Sequence, residues 1–315
     1  HVKNLTAQLV LPYNNSGNNQ YNMQFYFGPN NYSDLKKLGF GLEKVIPLGW
    51  GIFGWFAAPI NKYFIIPLFN FLNDYVGNYG IIILIMTVLI RIIVFPLTYR
   101  SFLSAAKMRV LKPELDELKA KLGDDQTKFA QEQMKLYKQA GVSPLGGCIP
   151  TLLQLPILVA MYSFFPISIE LRQQPFLWAK DLSSYDSIWN FGTNIWPLGD
   201  HLSLFTILMT ITSLITAWYS SQFNSANNQF KWLQYIFPIM LLGIFNSLSA
   251  ALTYYYFLSN VFTLAQQFII QEFFIDHDAI HKQIQENKKK PAKKSNWQKR
   301  LEDMAKAQQD RGRKK

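Results

Sequence analysis

One arginine interrupts an otherwise apolar part of the sequence. Arg91 lies in the run TVLIRIIV, at 87–94, well inside a stretch long enough to cross a bilayer. A guanidinium at the centre of a membrane helix costs at least about 2.5 kcal/mol, so it must face protein or a water-filled cavity. There it could attract an anionic or polar group, but it is a poor proton relay because arginine stays charged. A structural role is also open, in which Arg91 snorkels past Pro96 or pairs with Glu170 or Glu272.

Uncharged polar side chains recur in the other apolar runs, and together they could line a hydrated pocket around this arginine. Alternatively, each could form a hydrogen bond between two helices, an interaction that contributes under about 2 kcal/mol. On polarity alone, Gln154, Asn260 and Gln267 are candidates for the wall of the pocket. The interiors of the apolar runs hold no Asp, Glu or His, which disfavours a proton-coupled transporter.

Signatures of enzymes and metal sites are missing from the sequence. It contains no G-x-S-x-G, H-E-x-x-H or P-loop motif. His277 and His281 lie four residues apart, but in a polar tail without further ligands, so we expect no metal site. Cys148 is the only cysteine, so no internal disulfide can form. The sequence therefore predicts a protein that is not an enzyme, with no catalytic residues and no cofactor.

The composition is that of a membrane protein. Of 315 residues, 49% are hydrophobic and only 16% are charged, against about 25% charged in a typical soluble domain. The mean hydropathy is only +0.02, so long polar segments must offset the apolar ones. We expect an all-α polytopic membrane protein whose core, at 79–274, contains five transmembrane helices at 79–99, 145–169, 202–220, 232–245 and 252–274.

Two segments precede this core. Residues 1–45 are rich in Asn and alternate in polarity at 3–11 and 21–27, which predicts two strands that remain from a periplasmic β domain. We expect the chain to be part of a longer precursor because it lacks an initiator Met. From Pro67 onward, the segment 46–78 predicts an amphipathic helix lying in the membrane interface. A poor transmembrane helix is the alternative.

The distribution of Lys and Arg predicts the orientation in the membrane. Nine of these residues lie at 100–143 but only two at 171–200, and cytoplasmic connections are the ones enriched in them. The tail at 275–315 is also strongly basic. With five spans, the N-terminal part is then periplasmic, whereas the 100–143 segment and the tail are cytoplasmic.

The segment at 100–143 has the pattern of a helical hairpin. Apolar residues recur every three or four positions on both sides of Gly123, which should end the first helix. Two antiparallel helices would bury these stripes against each other. Pro113 lies inside the first pattern and predicts a kink or an offset start.

The tail contains a run of lysines whose partner the sequence leaves open. They could contact anionic lipid and help to set the topology. Alternatively, they could bind nucleic acid such as ribosomal RNA. The residues concerned are Lys288, Lys289, Lys290, Lys293 and Lys294.

Taken together, these residues resemble the YidC/Oxa/Alb family of membrane protein insertases, over roughly 20–273. The stretch FYFGP at 25–29 is similar to the end of the periplasmic β-sandwich of Gram-negative members. The turn at 246–250 departs from the Pro-Ser-Gly that the family often has there. The matching motifs lie at 91–98, 107–125, 136–138, 144–148, 155–156, 170–173, 255–260 and 266–267.

The resemblance implies a five-helix core around a hydrophilic groove, which is open to the cytoplasm and to lipid but closed toward the periplasm. Arg91 matches the groove arginine of the family, and Thr87 and Tyr256 match positions along which substrates slide. The tail matches an extension that contacts the ribosome. The hairpin matches a domain that recruits substrates, a role that would fall to its basic residues Lys107, Arg109, Lys112, Lys119 and Lys121.

The function implied by the resemblance is insertion and folding of nascent inner-membrane proteins, alone or with the Sec translocon. The implied partners are nascent membrane proteins, the Sec translocon, the ribosome and signal recognition particle pathway, and anionic lipids. The implied location is the bacterial inner membrane. A scaffold or assembly factor for membrane complexes is the alternative, and an anion transporter or channel is a further one that the missing titratable groups disfavour.

Overall fold

The computed structural model describes residues 6–12, 17, 20–49, 51–123, 125–142, 149–221 and 231–289, and these residues are mostly helical. A single antiparallel pair, β1 (Trp189–Ile195) and β2 (Gly199–Leu202), forms the sheet in this part of the chain. The helices are α1 (Tyr32–Lys37), α2 (Gly54–Ile60), α3 (Ile66–Asn73), α4 (Tyr79–Val110), α5 (Lys112–Leu122), α6 (Gln126–Ala140), α7 (Ile149–Phe164), α8 (Leu204–Ser221), α9 (Lys231–Phe245), α10 (Ala250–Ile269) and α11 (His277–Lys289).

Helix α10 lies at the centre of the packing. It contacts α4, α7 and α8, and α8 in turn contacts α9. One apolar cluster joins these helices because each presents large side chains to the others, and burial of such side chains is the main favourable term in folding. Its fully buried members include Phe69, Met86, Phe165, Phe205 and Tyr255.

Each of the five predicted apolar runs contains a helix, namely α4, α7, α8, α9 or α10. By length and hydropathy, three helical segments within the described residues could span a membrane: Gly51–Asn73, α4 and α8. Shorter apolar helices lie at Gln154–Phe164 and Gln234–Phe245. The polytopic helical character is therefore confirmed, although the sheet means that the fold is not all-α. That five helices cross the bilayer stays a prediction.

Helix α4 extends well beyond its predicted end at 99. It continues through Pro96 to Val110, although proline removes one backbone donor from a helix. Packing on both sides of the proline explains this continuity, because Met86 belongs to the central apolar cluster and Met108 to a second cluster at the other end. Tertiary contacts have overridden local propensity here.

The two strands predicted at 3–11 and 21–27 are absent from the residues that the structure describes in these stretches. The described residues 6–12 and 20–27 contain no strand and are exposed. Helix α1 follows instead, and Asn31 caps it by accepting hydrogen bonds from the first backbone N–H groups. An isolated pair of strands is marginal in water without further strands or a helix to pack against, and this part of the structure supplies neither.

The segment 51–73 is helical from its beginning rather than from Pro67. Helix α2 passes through a π turn at Asn61–Ile65 into α3. Asn61 is fully buried, and its Nδ2 donates to Leu48 O and Ala160 O, each at 2.9 Å. This amide ties the segment to α7. Its predicted position in the membrane interface stays a prediction.

A second apolar cluster joins the hairpin of α5 and α6 to α11. Helices α5 and α6 contact each other, and Pro113 lies in the first turn of α5, which confirms the offset start. Ile280 and Ile284 of α11 are buried in the same cluster as Leu115 and Tyr137. The chain beyond 275 is therefore not wholly a free tail, because α11 closes a face that the hairpin helices alone leave open.

A polar junction joins the start of α8 to the end of α9. Asn246 is fully buried, and its Nδ2 donates to Leu198 O and His201 O, each at 2.7 Å. Its Oδ1 accepts from Ser203 N at 2.9 Å. The buried carboxylate of Asp186 accepts from two backbone N–H groups in the first turn of α8, at 2.9 and 3.1 Å. The sequence patterns predicted neither the sheet nor this junction.

We expect Ile284→Ala to loosen the hairpin. Removing a buried isoleucine side chain down to alanine costs about 2–5 kcal/mol, here at the contact between α11 and the hairpin. Amide hydrogen exchange should therefore accelerate in α6 by at least about tenfold. The exposed Lys282 lies on the same helix, and Lys282→Ala should leave these rates unchanged. Equal protection in both variants would contradict the docking of α11.

We expect Asn246→Ala to destabilise the protein strongly. It removes the buried hydrogen bonds to His201 O and Ser203 N and the partly buried one to Leu198 O, and each buried loss costs about 1–3 kcal/mol. The free energy of unfolding, measured in detergent, should fall by at least about 2 kcal/mol. Asn194 is an exposed asparagine on β1, and Asn194→Ala serves as the matched control. Similar effects of the two changes would show that the junction is not the source of stability.

Candidate functional site: a buried arginine between two helices

Arg91 lies between α4 and α10 and is only 9% exposed. Its Nη2 donates to the backbone carbonyl of Ser259 at 2.8 Å. Among the described residues, no carboxylate lies within 4.0 Å of its guanidinium. The structural alternative of an ion pair with Glu170 or Glu272 is therefore wrong. Glu170 instead accepts from Asn31 Nδ2 at 2.5 Å.

The acceptor for this arginine is a carbonyl dipole, not an anion. Ser259 O also accepts from Thr263 Oγ1 at 2.7 Å, so its lone pairs are shared between two side-chain donors. A carbonyl carries only a partial negative charge, whereas the guanidinium carries a full positive one. The charge of Arg91 is consequently only partly offset, in a place where the low dielectric makes an unpaired charge costly.

Polar groups with unused hydrogen-bonding capacity surround the arginine. The side chains of Tyr255 and Tyr256 lie near its guanidinium, and Gln154 and Ser259 lie beside the Tyr255 hydroxyl. Gln154 Nε2 and Ser259 Oγ are buried without a hydrogen-bond partner in the described part of the chain. Buried polar groups are normally satisfied, so these two atoms have hydrogen-bonding capacity that the described residues do not use.

The remaining predicted wall residues occupy different environments. Thr87 is fully buried, and its hydroxyl donates to Ile83 O at 2.7 Å on its own helix. Asn260 faces α8, where its Nδ2 donates to Ser213 Oγ at 2.7 Å. Tyr256 is partly buried against the ring of Phe245, at 5.7 Å between centroids.

Gln267 is buried two helical turns beyond Ser259, at about 12 Å along the axis of α10. The structure thus brings Arg91 close to Tyr256 and places Gln154 beside Tyr255, whereas Thr87, Asn260 and Gln267 make other contacts. Whether any of these six residues touches a substrate stays a prediction.

Tyr255 and Ser259 are partners of Arg91 that the sequence patterns did not assign to the site. They lie four residues apart, so they share one face of α10. This spacing of two polar residues within an apolar run could have predicted a polar face on α10. The role of Ser259, however, belongs to its backbone carbonyl, which every residue has and no sequence pattern reveals.

The basic residues predicted for partner recruitment fall into two groups. Lys112, Lys119 and Lys121 are exposed on α5, whereas Lys107 and Arg109 belong to the end of α4. The α5 and α6 helices border a cleft of about 340 Å³ lined by charged side chains of both signs. Of the lysine run in the tail, 288 and 289 end α11, while Lys290, Lys293 and Lys294 lie outside the described residues.

The local structure of α6 changes the pKa of two side chains, Tyr137 and Asp125. Burial raises the pKa of Tyr137. The backbone N–H of Lys128 lowers the pKa of Asp125, the N-cap residue of α6, by bonding to its carboxylate. A carboxyl whose pKa is lowered by folding contributes stability above its unfolded pKa and loses it as the pH falls through the folded one. The cap is therefore intact at neutral pH.

Groups of three or more His, Cys, Asp or Glu side chains that could hold a metal ion do not occur in the described residues. The groups around Arg91 are suited to binding. A fixed positive charge, two phenols and spare amide and hydroxyl groups can attract and hydrate a polar or anionic segment. They provide no nucleophile paired with a base.

Comparison with known proteins agrees with the resemblance carried by the sequence motifs. The family model described as "60Kd inner membrane protein" matches residues 71–278. A membrane protein insertase YidC of Amoebophilus asiaticus is 48% identical over 286 residues, which cover 90% of this chain and 47% of that protein. A membrane protein insertase YidC of Parabacteroides distasonis is 44% identical over 328 residues, which cover 98% of this chain and 51% of that protein.

A solved structure is similar as well. It is described as an active YidC insertase crystal structure with the first transmembrane domain resolved. It is 27% identical, with a TM-score of 0.51, and the match covers 76% of this chain and 53% of that one. The chain therefore belongs to the 60Kd inner membrane protein family, that of the YidC insertases. It is a multi-pass protein of the bacterial inner membrane, and it spans about half the length of the curated relatives it matches.

If Arg91 serves function rather than folding, Arg91→Met should not destabilise the protein. Methionine fills a similar volume and removes a buried charge that has no anionic partner, a change that is often neutral or stabilising. The melting temperature in detergent should stay within about 2 °C of the parent value or rise. Arg100→Met, at an exposed position of the same helix, is the reference. A fall of more than about 8 °C at Arg91 alone would assign this residue a structural role.

Proposed function

We propose that this protein inserts nascent inner-membrane proteins and helps them fold, with Arg91 as an electrostatic receptor for the polar part of the substrate. The observation that carries the proposal is the buried guanidinium that bonds to a backbone carbonyl and has no carboxylate within 4.0 Å among the described residues. Family membership and the similarity to proteins named YidC insertase support it.

The physical obstacle to insertion is the passage of a polar tail through about 30 Å of hydrocarbon. A cavity that reaches part of the way from the cytoplasm shortens this path. Arg91 attracts an acidic tail into the cavity, and the apolar segment of the substrate then leaves sideways into lipid. Apolar transfer drives the process, together with about 2.3 kcal/mol per charge per 100 mV for an acidic tail that moves outward. No nucleotide is required, and the protein is not an enzyme.

The proposed groove is bordered by α4, α7 and α10. Tyr256 lies near Arg91, and Gln154 lies beside Tyr255. Both side chains can therefore hold water in the space next to Arg91. Thr87, Asn260 and Gln267 are proposed as more distant parts of the wall. Entry of a substrate would require Asn260 to exchange its bond to Ser213 for one to the substrate.

The proposed architecture assigns each segment a side of the membrane. A five-helix core at 79–274 carries the groove, the N-terminal 45 residues lie in the periplasm, and the segment 46–78 lies in the interface. The hairpin at 100–143 and the tail at 275–315 are cytoplasmic. There the exposed lysines of α5 recruit substrates, and the lysine run at 288–294 contacts the ribosome or anionic lipid. The Sec translocon and the signal recognition particle pathway are proposed as further partners.

Reconstitution into liposomes tests the proposal. A one-span substrate with a short acidic tail should become protease-protected with the purified protein but not with empty liposomes. Arg91→Ala should lower protection at least about fivefold, which corresponds to roughly 1 kcal/mol of lost attraction. Arg91→Lys should retain most of it because the charge persists. Arg100→Ala, which removes an exposed arginine of the same helix, should behave as the parent protein.

The same assay separates the alternatives. Protection that is equal in the parent protein and in Arg91→Ala would point to a scaffold that acts without the groove. Loss that is equal in Arg91→Lys and Arg91→Ala would show that the geometry of the guanidinium, rather than its charge, is required. Saturable anion flux without any substrate protein would favour a channel.

A further inference from the structure

The sheet hairpin between α7 and α8 carries apolar side chains that no other part of the described structure covers. Trp196, at its tip, is 91% exposed, and Trp189 is 67% exposed. The stretch 187–199 contains no charged residue. A β-hairpin that is uncharged and exposes two tryptophans would be unfavourable in water, and tryptophan is enriched where protein meets the membrane interface.

The position of the hairpin relative to the membrane helices is fixed at its tip. A Cβ added at Gly243 of α9 would lie 2.8 Å from Pro197 Cβ and 2.9 Å from Pro197 O. The Trp196–Pro197 turn is therefore in direct contact with α9, at a level two residues short of its last residue, Phe245. Since helices rise 1.5 Å per residue, the tip lies alongside the last turn of α9 rather than beyond it.

The surroundings of this contact are apolar and exposed. Met240 and Ile244, on either side of Gly243, are 53% and 56% exposed. In a membrane protein such a surface is covered by lipid. The face on which the hairpin tip lies is thus continuous with the lipid-facing surface of α9.

The other end of the hairpin is held rigidly. Leu202 ends β2, and α8 begins at Leu204, so the connection to a membrane helix is very short. Asn246 binds the carbonyls of Leu198 and His201, and the His201 ring stacks on Tyr185 at 3.8 Å between centroids. A tip anchored in this way cannot swing out into water without breaking buried hydrogen bonds.

From these observations we propose that the β1–β2 hairpin is a membrane-interface anchor whose partner is the lipid of the outer leaflet. Trp196 is inserted into the part of the acyl-chain region that lies next to the headgroups. The anchor holds the outer ends of α8 and α9 at a fixed depth. The inference does not depend on Arg91 or on insertase activity.

Site-directed fluorescence measures the depth of the tip. We would replace the single cysteine by Cys148→Ser, introduce Trp196→Cys, attach an environment-sensitive fluorophore, and reconstitute the protein into phosphatidylethanolamine and phosphatidylglycerol vesicles. Nitroxide placed near the headgroup end of the lipid acyl chains should quench the label at least about twofold more than aqueous iodide does. Lys180 is an exposed charged residue in the same connection between α7 and α8. A label introduced by Lys180→Cys should be quenched more strongly by iodide than by the lipid nitroxide.

A measurement without a label guards against disruption by the fluorophore. The difference in tryptophan emission between the parent protein and Trp196→Phe should be blue-shifted and should be quenched by brominated lipid. Strong iodide quenching with no effect of lipid nitroxide would overturn the proposal. Protection from both quenchers would also overturn it, because a protein partner rather than lipid would then cover the tip.

Discussion

A guanidinium held between two apolar helices, with no carboxylate within 4.0 Å among the described residues, is the interaction on which the proposed site depends. The contact between α4 and α10 passes through Arg91 and the Ser259 carbonyl, and the charge is only partly offset there. Stability alone does not require such a group, since an apolar side chain of similar volume would pack without the cost of desolvation. Gln154 Nε2 and Ser259 Oγ are also buried here without a hydrogen-bond partner among the described residues. The centre of the bundle is therefore polar, but its hydrogen-bonding groups are not all paired.

The two ends of the helix bundle are held by other contacts, although Ser249 Oγ and Gln271 Nε2 are also buried there without a hydrogen-bond partner among the described residues. Toward the sheet, α10 begins with backbone bonds from Ala250 N to Ser184 O and from Ala251 N to Leu182 O, at 2.6 and 3.0 Å. At the opposite end, the apolar cluster of the hairpin and α11 surrounds Ile270, just beyond α10.

The sequence predicted the features that depend on short-range patterns. Apolar runs of about 20 residues located the helices, and the presence of a charge within such a run singled out Arg91. The offset start at Pro113 followed from the same local chemistry. What the sequence could not supply were pairings between distant positions. Asn246 reaches the carbonyl of a residue 45 positions earlier, and α11 packs on a hairpin more than 130 residues away.

The absence of strands from the described residues 6–12 and 20–27 has a related reason. Alternating polarity describes what a strand would present to its neighbours, but a strand forms only when those neighbours are there. The sequence could not predict the role of the Ser259 carbonyl because every residue has a backbone carbonyl.

The central claim is that Arg91 acts through its charge on the polar tail of a substrate. Charge reversal tests it most directly. One-span substrates with otherwise identical acidic and basic tails would be inserted into vesicles without a membrane potential by the parent protein and by Arg91→Glu. An electrostatic role predicts that the parent protein prefers the acidic tail and that Arg91→Glu abolishes or inverts this preference. The same ratio of acidic to basic insertion in both proteins would contradict it.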